Sequence, residues 1–227
     1  MSRETIALFD AQGNSIGAKD RVSAYRDGEC VGLSFVWAAW RAPNGAIRTL
    51  LQTRSRPGDP YLGSLDAPAG GHIQAGESPS ATAQREFAEE VGVQLNPDEV
   101  VFLGQSYLRD TQGENTRQAM QFFYLCTRPI SLGETIFNEE VGAFIELGLR
   151  DFDDLVCGRT ASIQGQAHYE AAPGETHLCE ITPAVLDAYS APIMDAIRRS
   201  VRAIRTYLNC GEIDPTIWTP PNDGYSA

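Results

Sequence analysis

The chain has 227 residues, 42% of them apolar, with 30 acidic against 18 basic side chains and a formal net charge of −12. That length suits one large domain, or one domain with an appendage, and the acid excess weighs against a general nucleic-acid or anionic-membrane surface. No run of 18 or more apolar residues and no charged-then-apolar leader is present, so the expectation is a cytoplasmic chain without a membrane span.

Residues 5–9 are apolar and read as a strand, 10–14 carry turn chemistry, and 15–17 resume the strand. Residues 19–28 form a polar connector with room for a short helix. Residues 31–40 are apolar and β-rich, long enough for a buried strand. Pro43-Asn44-Gly45 is a hairpin-type turn, and 47–55 alternates as the return strand. After a loop at 56–60, residues 65–68 lead into a glycine-bearing loop and then a helix. Ser78 suits the N-cap, Pro79 the first helical position and Gly92 the residue just past the end. Ala83, Phe87 and Val91 repeat at i, i+4 and i+8 and give that helix an apolar face. A strand is expected over 97–104, extended by 106–109, then a loop over 110–116, strands over 119–127 and 141–147, and a short helix over 149–156. Residues 182–208 carry a helical pattern, with Val185, Tyr189, Ile193, Ile197, Val201, Ile204 and Leu208 on its apolar face and Pro192 as a break or kink. Beyond Gly211 lies a Pro-rich tail. Five widely spaced cysteines with no CxxC read as reduced thiols, not as a disulfide framework or a zinc site. The pattern is α+β: a mixed sheet with helices on both faces.

Chemistry concentrates between Gly70 and Val93. Glu86, Glu89 and Glu90 stand at i, i+3 and i+4, which places three carboxylates on one helical face. Like charges so close repel. A hard divalent cation removes that conflict, taking oxygen ligands from one or a few carboxylates and completing its shell with water and substrate phosphates. Upstream, Ala69-Gly70-Gly71 and Gly76 allow close backbone approach or positive φ.

These residues match the Nudix box, G-x5-E-x7-R-E-U-x-E-E-x-G-U with U apolar. Gly71, Glu77, Arg85, Glu86, Phe87, Glu89, Glu90, Gly92 and Val93 fill every defined place. Seven of these are single-letter demands, and at about 6–7% per residue type a chance match is rarer than roughly one in ten million starting points. The chain therefore resembles the Nudix hydrolase (MutT-like) superfamily. The resemblance implies an α/β/α sandwich over residues 1–157. Residues 158–227 are then a C-terminal extension whose long helix either packs on the domain or meets a partner in a homodimer.

The resemblance also implies hydrolysis of a diphosphate linkage in a nucleoside diphosphate derivative or related small organic diphosphate. Glu86, Glu89 and Glu90 become ligands of Mg²⁺ or Mn²⁺, with the carbonyl at Gly70 or Gly71 as a further ligand. Arg85 orients the carboxylates and Glu77 fixes the loop to the helix. The general base stays open: Glu89 or Glu90, or outside the box Glu139, Glu140 or Glu114. Arg54, Arg56 and His72 are the candidate substrate contacts, and Arg109 and Arg117 flank a loop able to close over substrate.

Residues 10–21 and 71–78 resemble, within this superfamily, proteins related to isopentenyl diphosphate isomerase. In those isomerases a catalytic cysteine precedes the Gly-His pair, and here that place is Gly70. Two of their metal-binding histidines would fall near Tyr25 and Gly32. Their box is degenerate and this one is intact, which favours the hydrolase. A non-catalytic ligand sensor is the third reading, and such domains usually lose the metal carboxylates that this chain keeps.

Overall fold

The computed structural model describes residues 4–112, 115–172 and 174–219. In chain order it runs β1 (Thr5–Phe9), β2 (Ser15–Asp20), α1 (Arg21–Arg26), β3 (Cys30–Arg41), β4 (Ile47–Arg54), β5 (Leu65–Asp66), β6 (Ala69–His72) and α2 (Pro79–Glu90). It continues with β7 (Val100–Gln112), β8 (Asn115–Cys126), β9 (Val141–Gly148), α3 (Leu149–Val156), β10 (Ile163–Tyr169), β11 (Thr176–Ile181) and α4 (Ala191–Cys210).

The centre of the sheet is β3. It pairs antiparallel with β4 and β6 and parallel with β8, so the sheet is mixed. Alternation along β3 sets the layers. Val36, Ala38 and Trp40 pack with Ala83, Phe87 and Val91 of the α2 segment. Trp37 and Ala39 face the other way, into a core shared with Phe152 of α3 and Val201 and Ile204 of α4. Helices thus cover both faces of an α+β sandwich, as the period-2 and period-3.6 patterns require. The apolar face of α4 is consumed within the chain.

The expected ends of α2 are present. Ser78 Oγ accepts from Ala81 N at 3.2 Å, and Pro79 opens the helix. Gly92 takes φ +87°, and Ile136 carbons stand 2.7–2.8 Å from where its Cβ would be, so both the backbone and the neighbour demand glycine. Ser78→Ala is expected to cost about 1 kcal/mol, the usual loss for an N-cap acceptor. Urea unfolding should show a lower midpoint at unchanged slope, and an unchanged midpoint would mean the cap contributes nothing.

Three segments differ from expectation. Residues 110–112 are not loop but the end of β7, whose ladder with β8 carries Asp110↔Arg117 and Thr111↔Thr116. Residues 163–181, given no element from sequence, form β10 and β11. Because β10 pairs with β9, the sheet runs through the boundary expected at residue 157. The helical pattern over 182–208 splits into a 3₁₀ turn at Pro183–Leu186 and α4, with Pro192 in the first turn of α4 as a break, not a kink. After α4 another 3₁₀ turn, Pro215–Trp218, lays Trp218 on Phe123 with ring centroids 4.7 Å apart.

Candidate active site

Strand β6 and helix α2 lie against each other, and the box residues fill that junction. Arg85 is its hub. Its Nε donates to Glu77 Oε1 at 3.0 Å and its Nη2 to Glu77 Oε2 at 3.0 Å, a two-pronged grip. Nη1 reaches Glu86 Oε1 at 2.7 Å and Glu89 Oε2 at 3.2 Å. Nη2 also donates to the His72 carbonyl at 3.3 Å, which ties α2 to β6. Thr82 Oγ1 donates to Glu77 Oε2 at 2.6 Å. Burial pushes the Glu77 carboxyl up, and the bonds from Arg85 and Thr82 outweigh it, leaving Glu77 below its ordinary range. Glu77 is thereby a fixed anion locking loop to helix.

Glu86 lies against Gly71. A Cβ at position 71 would come within 2.1 Å of Glu86 Oε1, so the box glycine is the space the carboxylate occupies. Burial raises the Glu86 carboxyl against the opposing pull of Arg85. Glu90 is only 7% exposed. Desolvation, and next the charge of Glu86, push it up to about 8. Gln52 Nε2 donates to Glu90 Oε2 at 3.0 Å, while Gln52 Oε1 is buried without a hydrogen-bond partner. Glu89 differs: its side chain is 59% exposed and rests on Arg85.

The donor set fits a hard divalent cation. Glu86 and Glu90 supply buried carboxylate oxygens whose mutual repulsion a cation would relieve, and the orphaned Gln52 Oε1 is a neutral oxygen of the same kind. Among the described residues no three His, Cys, Asp or Glu side chains are drawn together closely enough to hold an ion, and Glu89 remains with Arg85.

Of the residues outside the box, Glu140 is held by Arg56 Nη1 at 2.5 Å, and its charge is among those that raise Glu90. Arg54 is engaged with Asp59 Oδ2 at 2.5 Å and Asp66 Oδ2 at 3.2 Å. Its charge acts on Glu90 in the lowering direction. His72 Nε2 meets the Tyr25 hydroxyl at 2.7 Å, and burial, then the Arg21 charge, lower it to about 4, so the ring is neutral at physiological pH. Glu114 lies outside the described residues. Gly70 sits under Phe35: a Cβ there would be 2.5 Å from the Phe35 ring, and one at Gly32 would be 2.3 Å from Phe9. The places of the isomerase cysteine and of one isomerase histidine are therefore filled by aromatic rings.

Gln52 escaped sequence reasoning, and Tyr25 entered it only as the place of an isomerase histidine. Gln52 left one signal, a lone amide beside Leu50-Leu51 in an apolar strand. No helix among the described residues is long and apolar enough to cross a membrane.

A family model described as the NUDIX domain matches residues 36–166. The chain is 32% identical over 149 residues to Nudix hydrolase 3 of Arabidopsis thaliana, covering 63% of this chain and 19% of that protein. It is 31% identical over 97 residues to an uncharacterized Nudix hydrolase, orf19, of Rhodococcus erythropolis, covering 40% of this chain and 47% of that one. The chain thus spans about a fifth and just under half of the lengths of these two relatives. A MutT/nudix family protein from Enterococcus faecalis shares the fold, with a TM-score of 0.51 at 14% identity, covering 86% of this chain and 71% of that one.

Proposed function

The chain belongs to the Nudix domain family, and from that premise we propose that it hydrolyses a diphosphate linkage in a nucleoside diphosphate derivative or a related small organic diphosphate, with Mg²⁺ or Mn²⁺ as cofactor. The observation that carries this reading is Glu90, a carboxyl buried beside Glu86 and Gln52 that makes no ion pair among the described residues. A protein keeps such a group at a cost, and perturbed carboxyls of this kind concentrate at functional sites.

Bound there, the cation would neutralise charge on the diphosphate and lower the pKa of water. The chain's own residues have separate tasks. Glu86 and Glu90 would hold the cation, with the carbonyl at Gly70 or Gly71 as a further ligand. Glu89 would join them on leaving Arg85. Gln52 orients Glu90 through Nε2, and Arg85 orients Glu86. Glu140 or Glu89 would take the proton from the attacking water at a carboxylate oxygen. Arg56, 51% exposed and held by one carboxylate, has the freedom to turn to phosphate. Arg54, held by two, anchors the 55–64 loop beside it and acts on phosphate only at short range. His72, neutral, would offer a ring nitrogen to the uncharged part of the substrate.

An isomerase is less well supported, because Phe35 fills the space a side chain at Gly70 would need. The test is hydrolysis of nucleoside di- and triphosphates, ADP-ribose, sugar nucleotides, dinucleotides and prenyl diphosphates, with each metal in turn, read as the phosphomonoesters, phosphate or diphosphate formed. Turnover of at least one member that needs the metal is the expected result. No hydrolysis, with isopentenyl diphosphate converted to its allylic isomer, would replace the hydrolase by the isomerase. Neither activity, with metal-free binding of one ligand, would leave a sensor.

A further inference from the structure

The segment 136–140, which precedes β9, is a strap between the end of the box helix and the end of β4. At one end Ile136 N donates to the Val91 carbonyl at 3.1 Å, and the Ile136 side chain occupies the space that Gly92 leaves open. At the other end Ser55 N donates to the Glu140 carbonyl at 2.9 Å, and Ser55 Oγ to the Glu139 carbonyl at 3.3 Å. Asn138 stands between. Its Oδ1 accepts from Glu140 N at 2.8 Å, closing a side-chain turn over Glu139. Its Nδ2 donates to the Glu89 carbonyl at 3.4 Å. One amide therefore touches both the backbone of a box carboxylate and the backbone of Glu140.

We propose that Asn138 is a positioning residue for Glu140, fixing that carboxylate beside the box carboxylates during hydrolysis. The inference rests on the proposed hydrolase reading. Without the Asn138 bond the Glu140 amide loses its partner and the short segment before β9 gains freedom. Arg56 restrains only the carboxylate tip and is itself free to turn toward phosphate. Misplacing a reacting group by about 1 Å costs on the order of 10²-fold in rate, so the loss should fall on kcat and not on KM.

The test is a double-mutant cycle on the full chain with whichever diphosphate the wild type hydrolyses, reading kcat, KM and Tm for Asn138→Ala, Asn138→Ser, Glu140→Gln and the Ala–Gln pair. Asn138→Ala is expected to lower kcat by about 10–100-fold with KM within about threefold, and serine, whose hydroxyl can close the same turn more weakly, to recover most of it. In the Glu140→Gln background Asn138→Ala should cost nothing further, because the group it positions is already gone. Equal losses in both backgrounds would overturn the inference, as would unchanged kcat in Asn138→Ala. If Asn138→Ala does not fold, the same cycle is read with Asn138→Ser: its smaller loss of kcat should vanish in the Glu140→Gln background, and an equal fractional loss in both backgrounds decides against the inference. A Glu140→Gln variant with full activity would also overturn it while leaving the hydrolase reading intact. A wild type that hydrolyses no member of the panel would remove that reading and this inference together.

Discussion

Replacing Glu90 by glutamine is expected to abolish turnover and, at the same time, to make the metal-free protein more stable at alkaline pH. The two effects share one cause. The folded chain holds the Glu90 carboxyl near 8 against an ordinary value of 4.5, with desolvation the main reason. A group raised in the folded state favours folding fully below its unfolded value, and that contribution is lost as pH climbs through the folded value. The wild type should therefore lose stability relative to the glutamine variant between about pH 4.5 and 8, by up to about 5 kcal/mol, or on the order of 10 °C in Tm for a chain of this size. Divalent cation should invert the ranking. A cation binds the ionised carboxylate and displaces its proton, so Mg²⁺ or Mn²⁺ should raise the wild-type Tm increasingly toward pH 8 and leave the variant nearly unmoved. Turnover should fall by at least about 10², since even groups that merely support a metal ligand cost that much. Paired melting curves at pH 5 and pH 8.5, with and without metal, check it. A Tm difference that does not change with pH would show that Glu90 is already ionised in the folded chain.

The sequence displayed one half of this chemistry and hid the other. Glu86, Glu89 and Glu90 are visible because helical spacing of 3 and 4 puts them on one face, a local rule. That Glu89 turns outward to Arg85 while Glu90 goes inward is set by packing, and spacing alone is silent on it. Gln52 lies 38 positions from Glu90 and Arg56 lies 84 from Glu140; the packing of α2 on the sheet face that holds Leu50 brings the first pair together, and the pairing of β4 with β9 the second. Elements fared likewise. β3, β8 and α3 are apolar and periodic enough to be read directly. β11 is exposed along most of its length, and β10 alternates apolar with Gln, Gly and His, so neither carries a strong hydrophobic signal. Their strand character comes from the ladder with β9. Polar residues 110–112 resemble a loop for the same reason, since a hairpin tip with one face in water needs no apolar run.

Arg85 should be the residue whose loss the fold tolerates least within the box. It is the shared counter-charge of Glu77 and Glu86, both largely shielded from solvent, and it carries the bond from α2 to the His72 carbonyl. Arg85→Met keeps most of the aliphatic stem and removes the charged guanidinium. It leaves two partly buried carboxylates unpaired, for which the expected cost is about 3–5 kcal/mol, or on the order of 10 °C in Tm. Arg85→Lys separates charge from shape. An ammonium can face one carboxylate, whereas the guanidinium grips both Glu77 oxygens and still reaches Glu86 and Glu89. Lysine should thus restore less than half of the lost stability and little of the activity. Adding Glu77→Gln to Arg85→Met should return part of the loss, because one of the stranded charges is then gone. If Arg85→Lys matched the wild type, net charge alone would hold the junction together; if Glu77→Gln made Arg85→Met worse, Glu77 would be bonded chiefly through Thr82 and Gln74. The expected order, wild type above Lys above Met with partial rescue by Glu77→Gln, follows from the two-pronged geometry and from no simpler count of charges.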